Sequence, residues 1–346
     1  MKHQTTRYGE IPFYKIGTFG NTADAFISKK LFLEYKTKYS FPKKGDILIS
    51  ASGTIGRAVI YDGKPAYFQD SNIVWIDNDE TLVKNDFLFY AYSNVKWNTE
   101  HTTILRLYND NFRNTLIPLP PLNEQSAIAN ILSDLDRYLC ALRALILKKE
   151  GVKKALSFEL LSQRKRLKGF NQAWQKVRLG DIANYLTSNL SAEQITQQGK
   201  IKVYDVNNFI GYTDTTFISD KPYISIVKDG SVGRVRILPP KTNILSTMGA
   251  LIANHRTTTE FLFYLLSNFD FKNFTSGSII PHIYFKDYKE KTIFLPPLNE
   301  QSAIANILSA LDNEIASLKN KKRQFDNIKK ALNHDLMSAK IRVLKK

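Results

Sequence analysis

The sequence LPPLNEQSAIANILSDLD at residues 119–136 returns as LPPLNEQSAIANILSALD at residues 295–312, and the copies differ only where Asp134 becomes Ala310. In both copies two prolines precede apolar residues spaced three or four positions apart, which is typical of an amphipathic helix. The copies lie about half the chain length apart. The sequence therefore predicts a fold that consists of two copies of one unit, each built around a long helix.

Other motifs recur at nearly the same offset, so the repeat extends beyond the helix. The matching pairs are FLFYAYSN (87–94) with FLFYLLSN (261–268), GTIGR (53–57) with GSVGR (230–234), GEIPFYKI (9–16) with GKIKVYDV (199–206), and KKAL at 153–156 and 329–332. Each repeat is expected to be a mixed region followed by a long helix. The mixed regions share a pattern but little sequence, which favours two similar folds that bind two different ligands.

The mixed regions contain short β-branched segments bounded by Gly, Asp or Pro, as strands do. These segments are GDILIS (45–50), RAVIY (57–61), NIVWI (72–76), IKVYDV (201–206), SIVKDG (225–230) and RVRIL (234–238). Short helices are predicted at residues 86–94 and 259–268. The fold class is therefore α+β, with globular domains at 1–118 and 172–294 and helical spacers at 119–171 and 295–346.

The helical regions carry a heptad pattern of apolar residues, which predicts a coiled coil. The first seam is Ile128, Leu132, Leu135, Leu139, Leu142, Ile146, Leu156 and Leu160; the second is Ile304, Leu308, Leu311, Ile315, Leu318, Phe325, Ile328, Leu332 and Leu336. A first helix from Asn123, as N-cap, to Arg166 would be about 66 Å long at ~1.5 Å per residue and needs a partner. The two helices are expected to pair antiparallel and to separate the globular domains.

Composition favours a folded chain that binds a polyanion. Apolar residues make up 43% and charged residues 23%, near the globular average. The net charge of +17 favours contact with nucleic-acid phosphates, although a basic background or an acidic protein partner would also fit. The sequence has no signal-peptide pattern or membrane-length apolar run, so a cytoplasmic protein without membrane contact is expected. The single cysteine, Cys140, is expected to lie in the core.

Polar residues of the repeated block are kept in both copies, whereas packing of the two helices would require only the apolar set. This predicts a shared outside partner, with recent duplication of the DNA as the alternative explanation. The candidate partner-binding residues are Asn123, Glu124, Gln125 and Asn130 in the first copy and Asn299, Glu300, Gln301 and Asn306 in the second.

The arrangement resembles the specificity subunit of type I restriction-modification enzymes over almost the whole chain. The motifs that carry the resemblance are PLPPLNEQSAIANILSDLD (118–136) with its second copy, WQKVRLGD (174–181) and GDILISASGTIGR (45–57). The resemblance implies two target-recognition domains that alternate with two helical regions, which pair as an antiparallel coiled coil. The first domain departs from the family pattern because it lacks the W…LGD opening that the second domain has.

The resemblance also implies a function and a set of partners. Each domain would read half of a split double-stranded DNA target, and the helices would hold two modification subunits that supply S-adenosylmethionine and the adenine methyltransferase site. Restriction subunits, with a nuclease and an ATP-driven motor that also needs Mg²⁺, would join this core. The chain itself would hold no catalytic residue, metal or cofactor.

Candidate DNA contacts follow from side-chain chemistry, because arginine can hold guanine through two hydrogen bonds and Asn or Gln can hold adenine. In the first domain the candidates are Lys29, Lys30, Lys36, Lys38, Lys43, Lys44, Arg57, Gln69, Asn72, Arg106, Asn109 and Arg113. In the second domain they are Asn207, Asn208, Arg234, Arg236, His255, Arg256, His282, Tyr284 and Lys286. The glycines of GTIGR and GSVGR fit close approach to DNA, and a glycine-turned hairpin explains them equally well.

Two other classes of function stay open. A self-contained DNA nuclease would need a metal site, and the nearest constellation is Asp24, Glu34 and Lys36, which chance explains better. No phosphate-binding loop, HExxH motif, zinc ligand set or NPP[YF] methyltransferase motif occurs in the sequence. A coiled-coil scaffold that binds acidic proteins is the third class, and it would lack salt-sensitive, sequence-dependent affinity for DNA.

Overall fold

The computed structural model describes residues 4–68, 72–97 and 106–344, and the chain divides into two compact units. Unit 1 comprises Met1–Arg143 together with Asn320–Lys346, and unit 2 comprises Ala144–Lys319. Each unit therefore contains one mixed region and a part of each long helix.

Unit 1 begins with short strands and helices in alternation. Its strands are β1 (Ile11–Tyr14), β2 (Phe26–Ile27), β3 (Ile47–Ser50), β4 (Ala58–Ile60), β5 (Tyr67–Phe68) and β6 (Ile73–Trp75). Its short helices are α1 (Lys29–Lys38), α2 (Asn85–Tyr92) and α3 (Asn109–Arg113), and the long helix α4 (Leu122–Leu161) starts here. Helix α1 was not predicted, because lysines are interleaved with its aromatic residues in the sequence; Ser28 caps it by accepting from the backbone N of Leu31 at 3.2 Å.

Two small sheets form the mixed region of unit 1. One has the order β2-β1-β5, with β1 antiparallel to β2 and parallel to β5. The other has the order β4-β3-β6, and both neighbours run antiparallel to β3. All four residues of β3 are buried, which explains why Ile47, Leu48 and Ile49 form a continuous apolar run rather than an alternating pattern. Helix α2 packs Leu88 and Tyr92 against Ile47 and Ile49 of β3.

Unit 2 repeats the strand order of unit 1, has no helix in the place of α1, and adds three strands. Its strands are β7 (Gln175–Arg178), β8 (Ala183–Thr187), β9 (Ile201–Tyr204), β10 (Phe209–Thr213), β11 (Tyr223–Val227), β12 (Val235–Leu238), β13 (Asn243–Ile244), β14 (Met248–Ala253) and β15 (Thr292–Leu295). Its short helices are α5 (Thr259–Ser267) and α6 (Phe285–Tyr288), and the second long helix is α7 (Leu298–Met337).

The sheets of unit 2 have the orders β10-β9-β13 and β12-β11-β14-β8, and β7 pairs separately with β15. Strand β14 lies between β11 and β8 and is antiparallel to both. Strands β7 and β8 come from the WQKVRLGD opening and its continuation. The described residues of unit 1 have no counterpart of these two strands, which agrees with the predicted difference between the repeats.

The two long helices have 40 residues each, about 60 Å at ~1.5 Å per residue. Helix α4 begins at Leu122, so the predicted N-cap Asn123 lies in the first turn. It ends at Leu161 rather than at Arg166, because Gln163 adopts a left-handed conformation (φ 62°) that interrupts the helix. Ala339 (φ 55°) ends α7 in the same way.

Within each unit the two long helices run antiparallel, as predicted. In unit 1 Asp136 contacts Lys329, and farther along α4 Tyr138 contacts Phe325, whose number is lower. In unit 2 Lys149 pairs with Glu314 at 2.8 Å and Lys153 with Asp312 at 2.5 Å. Seam residues in both helices are buried, as a coiled coil requires: Ile128, Leu132, Leu139, Leu142, Ile146 and Leu160 in α4, and Ile304, Leu308, Ile315 and Leu336 in α7.

Two predictions about single residues are wrong. Cys140 is exposed rather than a core residue, because it lies next to the seam residue Leu139 but points away from the seam. Ile328 was predicted in the seam but half of its side-chain surface is exposed.

The α+β fold, the six predicted strands and both short helices are confirmed. None of the helices in the described part of the chain combines the length and the apolarity needed to cross a membrane.

Candidate nucleic-acid interface

A glycine-turned hairpin lies at the centre of each mixed region. The loop between β3 and β4 contains Gly53 (φ 67°) and Gly56 (φ 81°), and the loop between β11 and β12 contains Gly230 (φ 82°) and Gly233 (φ 79°). All four angles lie in the left-handed region, which other residues adopt only with strain. The repeated GxxG pattern therefore encodes one loop conformation in both units.

The second glycine of each loop also packs against an aromatic ring. A Cβ atom added to Gly56 would lie 2.2 Å from Nε1 of Trp97, and one added to Gly233 would lie 2.6 Å from Cδ2 of Phe271. Around Gly230 there is open space within 4 Å. The structural explanation of the glycines is thus confirmed, and close approach to DNA stays a prediction.

This difference gives a matched pair of substitutions. Gly233→Ala is expected to lower the free energy of unfolding by about 3 kcal/mol, because it adds a clash with Phe271 to backbone strain. Gly230→Ala has the same strain without the clash and is expected to cost about 1 kcal/mol. Urea denaturation of both variants measures the difference, and equal losses would show that the Phe271 contact is unimportant.

A later segment of the chain returns to each hairpin loop and pairs with it. In unit 1 Ser52 bridges to Arg106, and the backbone N of Leu107 donates to the oxygen of Ala51 at 2.9 Å. In unit 2 Asp229 bridges to His282, and the backbone N of Ile283 donates to the oxygen of Lys228 at 2.9 Å. Arg106 and His282 therefore occupy equivalent positions beside the loop.

The arginine that follows the second glycine contacts an equivalent loop in both units, between β1 and β2 in unit 1 and between β9 and β10 in unit 2. Nη1 of Arg57 donates to the backbone oxygen of Phe19 at 2.9 Å in unit 1. Nη2 of Arg234 donates to Oδ1 of Asn207 at 2.8 Å in unit 2. Both arginines are exposed, so each is held in place while the rest of its guanidinium stays accessible.

Unit 2 gathers most of its predicted contacts around this loop. Nη1 of Arg236 donates to the backbone oxygen of Asn207 at 2.9 Å, and its guanidinium lies 5.2 Å from the ring centre of Tyr204. On the return segment the rings of His282 and Tyr284 lie 5.5 Å apart, and Nζ of Lys286 lies 5.4 Å from the ring of Tyr284. The structure thus brings Arg234 and Arg236 onto Asn207, and it places Tyr284 and Lys286 next to His282 on the segment that pairs with the loop.

Unit 1 has fewer of the predicted DNA-contact residues at the equivalent position. Oδ1 of Asn72 accepts from Oγ of Ser52 at 2.8 Å and from Nη2 of Arg106 at 3.2 Å. Asn109 and Arg113 lie in α3, which follows the return segment, and Arg113 pairs with Asp110 at 3.6 Å. Gln69 lies outside the described residues.

The remaining candidates lie on other elements. Lys29, Lys30, Lys36 and Lys38 are exposed on helix α1, and Lys43 pairs with Asp77 at 3.0 Å. Arg256 lies beside the start of α7, where Nη2 donates to Oε1 of Gln175 at 3.2 Å. The structure gives these residues no contact with the hairpin loops among the described hydrogen bonds and ion pairs, and their role in DNA binding stays a prediction.

Three repeated motifs meet in a single cluster in each unit. In unit 2 Oη of Tyr264, from FLFYLLSN, donates to Asp312 at 2.9 Å, and Nζ of Lys153, from the first KKAL, contacts the other oxygen at 2.5 Å. In unit 1 Tyr90, Asp136 and Lys329 form the same cluster, with distances of 2.9 and 2.5 Å. Burial and the hydrogen bond to aspartate raise the pKa of both tyrosines.

Gln301 and Gln125 join the repeated helix to the mixed region through main-chain atoms. Nε2 of Gln301 donates to the oxygens of Arg256 and Pro296 at 2.9 and 2.8 Å, and its Oε1 accepts from the backbone N of Thr258 at 3.0 Å.

Gln125 repeats this joint in unit 1. Its Nε2 donates to the oxygens of Leu82 and Pro120 at 3.0 and 2.8 Å, and its Oε1 accepts from the backbone N of Lys84 at 2.8 Å. Both glutamines are buried. We call these contacts the glutamine joint.

The neighbouring glutamates are also buried and paired. Glu300 accepts from Nη2 of Arg166 at 2.6 Å and from Nε1 of Trp174 at 3.0 Å. Glu124 accepts from Nη2 of Arg342 at 2.5 Å and from the backbone N of Val343 at 3.3 Å. The hydrogen bond from Arg342 lowers the pKa of Glu124.

These contacts change the interpretation of the repeated block. Glu124, Gln125, Glu300 and Gln301 are buried and bonded within the chain, so folding alone explains why they are kept, and they are not accessible to an outside partner. The assumption that packing requires only the apolar set is therefore wrong. Asn123, Asn130, Asn299 and Asn306 are exposed, and for them partner binding stays a prediction.

Sequence reasoning missed one feature beside the hairpin of unit 2. Ile279 is 91% exposed and Ile280 is 62% exposed, in the loop that precedes His282. Two adjacent isoleucines in the polar segment TSGSIIPH are the signal that could have identified an exposed apolar loop.

The nuclease-like constellation receives no support from the geometry. Asp24 pairs with Lys15 at 2.8 Å, and Nζ of Lys36 lies 5.4 Å from the ring of Phe41. Within residues 4–68, 72–97 and 106–344, no group of three His, Cys, Asp or Glu side chains could hold a metal ion.

Comparison with known proteins gives the family. The model for the type I restriction modification DNA specificity domain matches residues 1–149 and 171–325. S.HindORF215P of Haemophilus influenzae, named as a type I restriction enzyme specificity subunit, is 65% identical over 133 residues, which are 38% of this chain and 34% of that protein. The MjaX specificity subunit of Methanocaldococcus jannaschii is 28% identical over 335 residues, 86% of this chain and 79% of that protein.

A solved structure agrees on the fold. The crystal structure of the S subunit of a type I restriction-modification system from M. genitalium has a TM-score of 0.64 and 21% identity, covering 97% of this chain and 91% of that one. Two similar mixed regions, each with a basic hairpin site, and paired long helices define a two-domain recognition protein. The chain belongs to the type I restriction modification DNA specificity domain family.

Proposed function

We propose that each unit binds its own part of a split DNA target and that the chain carries two modification subunits of a type I complex. The observation that supports this most is the repeated hairpin and return segment with different side chains. Arg106 in unit 1 corresponds to His282 in unit 2, and Asp110 corresponds to Lys286. Because base readout depends on side-chain identity, one framework with two sets of side chains suits two different half-targets.

The charge of the sites also supports DNA as the ligand. Arg57, Arg234, Arg236 and Lys286 lie at or next to the hairpin loops, and the net charge of the chain is +17. In protein–DNA complexes, contacts to phosphates position the protein, while contacts to base edges give specificity. The held but exposed arginines are suited to the second role, and the surrounding lysines to the first.

The proposed partners are two copies of one modification subunit. The exposed asparagines Asn123 and Asn130 of α4 recur as Asn299 and Asn306 of α7, so the chain presents the same polar surface twice. In this proposal the chain itself is non-catalytic. S-adenosylmethionine acts in the modification subunits, and ATP and Mg²⁺ act in restriction subunits that join the complex.

Co-expression with the modification subunit, followed by mapping of methylated adenines by sequencing, tests this function. We expect methylation within a bipartite sequence, and two modification subunits per chain in the native mass spectrum of the purified complex. Substitution of Arg234 should alter one half of the sequence only. Methylation without sequence preference, or a complex that stays 1:1 in excess modification subunit, would contradict the proposal.

A further inference from the structure

A short closed loop carries the two exposed isoleucines of unit 2. The backbone N of Ser276 donates to the oxygen of His282 at 2.9 Å, and the backbone N of His282 donates to the oxygen of Ser276 at 2.8 Å. These two hydrogen bonds close residues 277–281, and we call this segment the apolar tip. On it Ile279 is almost fully exposed and Ile280 is more than half exposed.

The backbone of the apolar tip is tightly packed and has little freedom to move. Gly277 has a φ of 90°, and a Cβ atom added there would lie 2.3 Å from the oxygen of Ile280 and 2.7 Å from Cε1 of His282. Only glycine therefore fits at this position. Pro281 has a φ angle fixed by its ring, so both ends of the tip are conformationally restricted.

The apolar tip is also anchored in the body of unit 2. The backbone N of Gly230, in the hairpin loop, donates to the oxygen of Pro281 at 2.8 Å. Ile283, which follows the tip, is buried in the core cluster of unit 2. Before the tip, the hydroxyl of Thr275 donates at 2.9 Å to the backbone oxygen of Phe271, which lies in the same cluster. The tip is thus part of the hairpin site.

The surroundings of the apolar tip are basic. Residues 228–236 and 276–289, which form the hairpin loop, the tip and the return segment, contain five lysines and arginines and two aspartates. This charge favours an acidic partner beside the tip, and DNA supplies phosphates. Inside its row of phosphates a duplex also has stacked bases, which are apolar on their faces. DNA therefore suits both the charge of the site and the isoleucines.

A rigid apolar tip can do more than lie on the outside of a duplex. In protein–DNA complexes, apolar side chains such as isoleucine enter between base pairs, unstack them and kink the duplex. Insertion requires a side chain that projects from the surrounding surface and a backbone that does not give way. Ile279, exposed on a closed and anchored loop, meets both requirements.

We propose that the apolar tip is a wedge: Ile279 inserts between two stacked base pairs of the half-target bound by unit 2, and Ile280 packs against the edge of the opened step. This role rests on the proposed function of unit 2 in DNA binding. Because pyrimidine–purine steps unstack most easily, a wedge selects sequence without hydrogen bonds. It thus adds a deformable step to the bases that Arg234 and its neighbours read. The corresponding segment of unit 1, before Arg106, lies outside the described residues.

The fluorescence of 2-aminopurine, which rises when this base analogue loses its stacking neighbours, tests the wedge in the assembled complex. The analogue replaces, one position at a time, the purines of the half-target that changes on substitution of Arg234. The methylated adenine is left in place, because methyltransferases turn their target base out of the helix, which also raises the fluorescence. With saturating complex we expect a rise of at least about threefold at one step.

Three variants show whether the isoleucines cause this rise. Ile279→Ala with Ile280→Ala should abolish it and lower the affinity for DNA by less than about tenfold, since the variant also avoids the cost of unstacking. Ile279→Leu keeps an apolar wedge and should keep the rise. Ile237→Ala, the control, removes an exposed isoleucine of β12 in the same unit and should leave the rise unchanged.

The outcomes distinguish the wedge from the proposed function. A parent complex that binds its mapped target without a rise at any position would overturn the wedge alone, and so would a rise that persists in the double alanine variant. Loss of a modification subunit from that variant in native mass spectrometry would show that the tip binds protein instead. A parent complex without sequence-specific affinity for DNA would overturn both the wedge and the proposed function.

Discussion

Replacing Gln301 by leucine is expected to lower the free energy of unfolding by about 3 kcal/mol or more. Leucine is similar in size but has no polar atoms, so the backbone groups of Arg256, Pro296 and Thr258 would lose their partner. Each buried group left without a hydrogen bond costs roughly 1–3 kcal/mol. Chemical denaturation followed by tryptophan fluorescence and circular dichroism measures the loss.

Two variants of the repeated helix test the origin of that loss. Gln125→Leu removes the corresponding joint in unit 1 and is expected to destabilise the chain by a similar amount. Ser302→Ala removes an exposed hydroxyl that, among the described residues, bonds only to the oxygen of Leu298 in its own helix, and its free energy of unfolding should stay within about 0.5 kcal/mol of the parent's. A loss below about 1 kcal/mol for Gln301→Leu would show that water or neighbouring groups replace the amide.

The double variant Arg234→Ala and Lys286→Ala is expected to weaken binding of the assembled complex to its DNA target by about 100-fold. Loss of one base contact costs roughly 1–3 kcal/mol, and loss of one phosphate contact lowers the salt dependence of binding by about one unit of slope. Fluorescence anisotropy at several salt concentrations separates these two effects. The target sequence comes from the methylation map of the parent complex.

Two lysines at the other end of the same hairpin provide a control with the same change in net charge. Lys221 precedes β11 and Lys241 follows β12, so both lie away from the glycine loop, and both are exposed. Lys221→Ala with Lys241→Ala should reduce the affinity only a few-fold. Equal losses for the two double variants would mean that net charge, rather than the hairpin site, determines binding.

Most of the fold could be predicted from periodicity. The segments that became β3, β6 and β11 are short β-branched runs bounded by turn residues, and the helices α4 and α7 follow from the heptad spacing. Antiparallel pairing followed from the length of the helices and the resemblance to the family. Helix α1 was missed because lysines are interleaved with its aromatic residues, although Leu31, Phe32 and Tyr35 form the face that packs on β1 and β5.

The site could be predicted less well, because its geometry depends on contacts between distant parts of the chain. The pairing of Asp229 with His282 cannot be read from either segment alone. The cluster of Tyr264, Asp312 and Lys153 is a second example. Each residue lies in a repeated motif, but only the structure shows that the three motifs meet. The burial of Gln301 reversed the sequence interpretation, since a glutamine on a helix is usually solvent-exposed.

The glutamine joint affects how proteins of this family can evolve. In each unit the amide of the glutamine binds carbonyl and N–H groups of the main chain, so the fit depends mainly on the path of the backbone, and in unit 2 the hydroxyl of Thr257 adds one side-chain hydrogen bond at 2.9 Å. A foreign recognition domain that follows the same path would keep this joint, provided that it also carries the tyrosine that donates to the aspartate of the helix. Genetic exchange within the DNA that encodes the repeated helix could thus transplant an entire domain, and the hybrid would fold while reading a new sequence.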